Sequence, residues 1–203
     1  RPEWNDANNA LVGNGVSMVT LYYLNRFFNF FEELLESSST QEVEVSNEIL
    51  QFFDKVLNTF EKNKGLLSSS INNTNKKMIL DALGEAGSEF RMQIYNHAFS
   101  GRKTTLSFDK LKRFVSLSKS YLEHSIEANK RSDNLYHAYN LMTVNKNNSI
   151  SISYLSEMLE GQVAVLSSGY LDGKETLNVL NALKESKLFR KDQYSYLLYP
   201  FKE

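Results

Sequence analysis

An acidic residue, a tryptophan, an asparagine and a second acidic residue stand side by side in Arg1-Pro2-Glu3-Trp4-Asn5-Asp6, with Asn8 just after them. An aromatic platform beside a carboxyl group can hold a sugar ring and protonate the oxygen that leaves it. Trp4 supplies the platform, and Glu3, Asn5 and Asn8 supply groups that hydrogen-bond sugar hydroxyls. Asp6 is the candidate general acid, because desolvation beside Trp4 and the nearby charge of Glu3 would both raise its pKa. A second reading packs Trp4 into a core and uses Asp6 to cap the helix that follows.

Other groups with chemical potential lie in the second half of the chain. His137 sits in Leu135-Tyr136-His137-Ala138-Tyr139-Asn140, with Arg131 and Asp133 just before it. Gln162 interrupts an apolar run, a place where glutamine commonly serves as a hydrogen-bonded core residue. Glu157 and Glu160 flank it and read as one turn apart on one helix, where either can act as a general base. Arg190 to Tyr196 joins cations to polar aromatics, which suits an anion or sugar contact or a solvated surface. His97, His124 and His137 are too widely spaced for a metal motif, and with no cysteine there is no thiolate site or disulfide.

These residues need elements to carry them. Apolar residues recur at helical spacing over 16–36, 47–63, 76–99, 107–129 and 174–186, with a further helix from Ser153 to Ser167. Ser46 reads as an N-cap, Gly65 and Gly169 as stops, and Gly84 and Gly87 as points where another helix packs closely. Two short apolar runs around Asn145-Lys146-Asn147-Asn148 predict a β-hairpin near 141–152. The expectation is an all-α fold of stacked antiparallel helical hairpins with that one β excursion, in a single domain over 1–203.

Composition narrows the partners. The chain has 203 residues, 23 Lys plus Arg against 24 Asp plus Glu, and a formal net charge of −1. That balance gives no reason to expect nucleic acid or an anionic membrane. No window approaches the roughly 18 unbroken apolar residues of a membrane span. The absence of cysteine fits a cytoplasmic protein.

The acidic loop, with Gly13, Gly15 and the long apolar helix after it, resembles the Trp-Asn-Asp loop of the cellobiose phosphorylase-like glycoside phosphorylases, of the six-hairpin glycosidase superfamily. Glu157 to Gly169 is similar to their segment in which a glutamine precedes a small apolar run ending in Ser-Gly. The opening residues, Leu135 to Asn140 and Asp192 to Pro200 resemble a group of large bacterial proteins labelled cellobiose phosphorylase. Residues from Glu36 to about Asn129 carry no matching motif. The resemblance implies part of a larger (α/α)6 catalytic domain, with this chain an internal or C-terminal piece of it. It also implies Asp6 as general acid, Gln162 and His137 as phosphate contacts, and inorganic phosphate as co-substrate with no metal or organic cofactor. The implied partners are an oligosaccharide and the rest of the parent chain, and helix faces left uncovered would favour a homo-oligomer. Two departures bear on the substrate: Ala7 follows the acid where the phosphorylases have glycine, and Glu3 replaces an aspartate. The family's second phosphate-binding element, a Thr-Gly pair, has no match before Glu203.

Three functions remain open on this reading. They are inverting phosphorolysis of β-glucosidic bonds, inverting hydrolysis with a base carboxylate, and noncatalytic carbohydrate binding or scaffolding.

Overall fold

The computed structural model describes residues 15–200. Six helices, covering 58% of the structure, are joined by three antiparallel sheets with seven strands in total. The all-α barrel expectation is therefore corrected to a mixed α/β architecture. The helices are α1 (Met18–Ser37), α2 (Asn47–Asn63), α3 (Asn73–His97), α4 (Phe108–Glu127), α5 (Leu159–Leu166) and α6 (Gly173–Glu185), with a 3-10 turn at Lys64–Ser68. Strands β1 (Gly15–Ser17), β4 (Tyr139–Asn145) and β5 (Ser149–Tyr154) form one sheet in the order β1-β4-β5. Strands β2 (Glu42–Ser46) and β3 (Lys103–Ser107) form a second sheet, and β6 (Phe189–Arg190) and β7 (Ser195–Tyr196) a third.

The chain divides into two compact units. One contains residues 30–121 and 145–150. Its ribbon arises from two alternating runs, Glu42-Val-Glu-Val-Ser and Lys103-Thr-Thr-Leu-Ser, which pair Val43 with Leu106 and Val45 with Thr104. Each strand runs straight into a helix, and the ribbon satisfies the first free helical donors. Asn47 N–H donates to the Arg102 carbonyl at 3.0 Å and Phe108 N–H to that of Gln41 at 2.8 Å. Ser46 consequently makes no side-chain cap, contrary to the reading of its sequence.

The core of this unit is aromatic. Phe52 stacks on Phe90 at 5.1 Å, Phe53 meets Phe114 at 4.8 Å, and Phe60 stacks on Tyr121 at 4.6 Å. Leu57, Ala86, Leu106 and Val115 are buried with them. Gly84 and Gly87 face open space, so no helix packs closely on either. Glu48 is buried, and its Oε1 accepts from the Ser100 backbone N–H at 3.0 Å. The hydrogen bonds at Ser100 hold this carboxyl below the usual carboxylate range.

The second unit contains residues 15–29, 122–144 and 151–200. Its core gathers Met18, Tyr22, Ile126, Leu135, Tyr136, Ala164, Val165, Val179, Leu183 and Leu188. The helix expected from Ser153 to Ser167 is shortened to α5, because Ser149–Tyr154 is strand β5. Glu157 therefore precedes the helix that carries Glu160, and the two do not share one helical face. Gly161 is where backbones approach closely: a Cβ there would lie 2.8 Å from Ala138 Cβ and 3.0 Å from its Cα. Asp172 and Glu175 close a capping box at the start of α6.

Candidate functional site

Arg131, in the turn after α4, organises the polar surface of the second unit. Its backbone N–H donates to the Leu135 carbonyl at 2.8 Å, and Asn134 N–H returns to the Arg131 carbonyl at 3.2 Å. Asn134 takes the left-handed conformation this tight turn requires, with φ of 62°. The Arg131 guanidinium then grips Asp133 through Nε at 3.0 Å and Nη2 at 2.7 Å, and reaches Glu157 at 3.4 Å. Asp133 Oδ1 also accepts from Leu135 N–H at 3.1 Å. The hydrogen bond from Arg131 holds the Asp133 carboxyl below its ordinary pKa, and that same bond raises Arg131.

A cleft of about 600 Å³ opens beside this fork. Asp133, Asn134, Leu135 and Glu157 line one part, and Asn178, Asn181, Ala182 and Glu185 of α6 line another, with Ser186 and Lys187 beyond them. Asn178, Asn181, Ala182 and Glu185 recur at three- and four-residue spacing, so one face of α6 is presented to the cleft. Buried Val179 and Leu183 anchor that helix to the core.

Gln162 lies elsewhere. It is fully buried, with Oε1 accepting from Tyr136 N–H at 2.9 Å. Its Nε2 donates to the carbonyls of Tyr136 at 2.8 Å and Met158 at 3.0 Å. The carboxamide thus pairs with the Tyr136 backbone as a neighbouring strand would, and both its donor hydrogens are engaged. His137 is also buried, and its ring stacks on Tyr154 at 4.2 Å with an interplanar angle of 13°. Its carbonyl accepts from the Tyr22 hydroxyl at 2.7 Å, and its Nδ1 meets no partner among the described residues. Burial first, and the positive charge of Arg131 second, hold the imidazole below the usual histidine pKa. Asp133 and a hydrogen bond with the Leu155 backbone oppose this shift. Neither Gln162 nor His137 lines the cleft.

The catalytic candidate Asp6 and the sugar-contact candidates Glu3, Trp4, Asn5 and Asn8 lie outside the described residues. Glu160 accepts from the Tyr139 hydroxyl at 3.2 Å, and burial, followed by the charge of Glu160, pushes that phenol up to about 12. Asn178, Asn181 and Glu185 are not singled out by the sequence, which shows only the helix over 174–186 that carries them. Arg131 and Asp133 are visible there as charges, but the reach of Arg131 to Glu157 spans 26 positions and has no local signal.

Among the described residues, no group of three or more His, Asp or Glu side chains is placed to hold a metal ion. No helix among them is long and apolar enough to cross a membrane. Compared with family models and with curated proteins, the chain matches none.

Proposed function

We propose that the protein cleaves β-glucosidic bonds of an oligosaccharide with inversion, using inorganic phosphate as the attacking group. A phosphate oxygen bonds to the anomeric carbon from the face opposite the leaving oxygen, and the glycosidic bond breaks. The Asp6 carboxyl gives its proton to the leaving oxygen, and the products are a sugar 1-phosphate and a shortened oligosaccharide. The observation that carries this reading is the run Glu3-Trp4-Asn5-Asp6, which joins a sugar platform, amide and acid in four consecutive residues. The proposal places the reaction in the cytoplasm, in keeping with a chain that has no cysteine. Phosphate contacts would come from groups other than Gln162, whose donors are taken up by backbone carbonyls.

A second reading, inverting hydrolysis, is favoured by Glu157. This carboxylate is ion-paired with Arg131, lies in the cleft and has only 16% of its side chain exposed. An acceptor of that kind can take a proton from water, provided it stands roughly 6.5–9.5 Å from the acid.

The test is product analysis with cello-oligosaccharides, with and without phosphate, beside the Asp6→Asn variant. Phosphate-dependent sugar 1-phosphate, reduced about 10²–10⁴-fold in the variant, is the expected result. Free sugar formed without phosphate, and lost in Glu157→Gln, would replace phosphorolysis by hydrolysis. No turnover under any condition would leave noncatalytic carbohydrate binding.

A further inference from the structure

We propose that the cleft between the Arg131–Asp133 turn and α6 is a glycan subsite that binds vicinal hydroxyls through Asn178, Asn181 and Asp133. Its volume, about 600 Å³, falls within the roughly 300–1,000 Å³ of small-molecule sites. The class of ligand follows from the lining. Asp133, Glu157 and Glu185 outnumber the cations Arg131 and Lys187, so phosphates, nucleotides and carboxylates meet a surplus of like charge. Leu135 is buried, Ala182 is small and the lining is more polar than apolar, which disfavours a purely hydrophobic ligand. Carboxamides dominate what remains, with Asn134, Asn178 and Asn181 all lining the cleft.

A carboxamide offers donors and an acceptor side by side, and a pair of neighbouring sugar hydroxyls offers the matching set. Asn178 and Asn181 stand three positions apart on α6, hence on neighbouring turns of one face. Asp133 adds an acceptor-only group whose position is fixed by the Arg131 fork and by Leu135 N–H. Both walls are therefore set before any ligand arrives: one by that fork, the other by a helix with a capping box and buried Val179 and Leu183. Such preorganisation reduces the ordering cost of binding. The choice of a β-glucan as probe rests on the carbohydrate reading above, whereas the preference for a neutral, hydroxyl-rich ligand rests on the cleft alone.

The experiment is calorimetric titration of the Asp6→Asn protein with cellotetraose, so that turnover does not interfere, and of the same protein carrying Asn178→Ala and Asn181→Ala. Both asparagines are exposed on a helix, and the far-ultraviolet circular dichroism of the two proteins should coincide. Saturable binding in the first, weakened at least tenfold in the second, is expected. Equal affinity in both, or no binding to either, would overturn the subsite. The asparagine pair in a protein with Asp6 intact separates the two proposals. Phosphorolysis with unaltered affinity overturns only the subsite, and asparagine-dependent binding without any turnover overturns only the phosphorylase.

Discussion

The two units place their polar groups differently. The unit of residues 30–121 and 145–150 is held by stacked aromatic rings, from Phe52–Phe90 to Phe60–Tyr121. Its ion pairs, such as Lys110–Asp54 and Arg113–Glu61, lie at the surface, where each contributes little. That unit buries the polar side chains of Glu48, Ser118 and Ser149, whereas the other unit buries a larger set, Asn25, Asn129, His137, Asn140, Gln162 and Ser168. Asn140 Nδ2 donates to Asn129 Oδ1 at 2.7 Å, and Asn25 Nδ2 to the Ser168 carbonyl at 3.1 Å. Buried polar networks cost desolvation and return a fixed geometry, so they belong where side chains must be held in one place. The Arg131–Asp133–Glu157 arrangement lies in that polar unit, and the aromatic unit contributes packing.

The largest expected effect probes the polar side of this contrast. Gln162→Leu removes three hydrogen bonds, taking the side-chain partner from the buried Tyr136 N–H and carbonyl and from the Met158 carbonyl. Urea unfolding should show a loss of about 3–5 kcal/mol. A loss below about 1 kcal/mol would mean that the backbone finds other partners and that the network is not what fixes this unit. The next effect probes the aromatic side. Phe53→Ala should cost about 3 kcal/mol by unfolding. Cellotetraose affinity and turnover, measured well below the melting temperature, should stay within a factor of two of the parent. A tenfold change in either would dissolve the distinction between a packing unit and a functional one.

Much of this contrast was legible only as periodicity. The spacing of Ile49, Phe52, Phe53, Val56, Leu57 and Phe60 predicts a helix over 47–63, and α2 has those bounds. Strands β2 and β3 are hidden because each five-residue alternation runs directly into a helix. A helical reading therefore absorbs or ignores them. Their pairing joins Glu42–Ser46 to Lys103–Ser107 across the whole of α2 and α3, and no local pattern reports it. That pairing is what overturns the all-α expectation most directly. Gln162 stands out in the sequence as a glutamine within an apolar run, but its partner Tyr136 stands 26 positions away. From sequence, a structural clamp and a ligand contact look alike at this position. The cleft was less legible still, because Asn178, Asn181 and Glu185 have the pattern of an ordinary solvated helix face.

The smallest effect concerns pH. Burial and Arg131 depress the His137 pKa in the folded protein, while the unfolded chain keeps the ordinary histidine value near 6.5. Between those two values the unfolded state binds the extra proton, so stability rises with pH across the window. It is lost as pH falls below about 6.5, down to the depressed folded value. The groups facing the ring electrostatically are Arg131 and Asp133, with Tyr154 stacked on it and the Leu155 backbone bonded to it. Asp133, whose pKa is also depressed, contributes its own loss only at lower pH, below its ordinary value near 3.8. The two slopes are thus separable. His137→Gln removes the titrating ring, and its unfolding free energy should be flatter than the parent's as pH falls below about 6.5, whatever constant offset the lost stacking introduces. If parent and variant keep the same slope there, the imidazole is free to protonate in the folded state. The polar unit would then tolerate a new charge at His137, which a network that fixes geometry by burial does not.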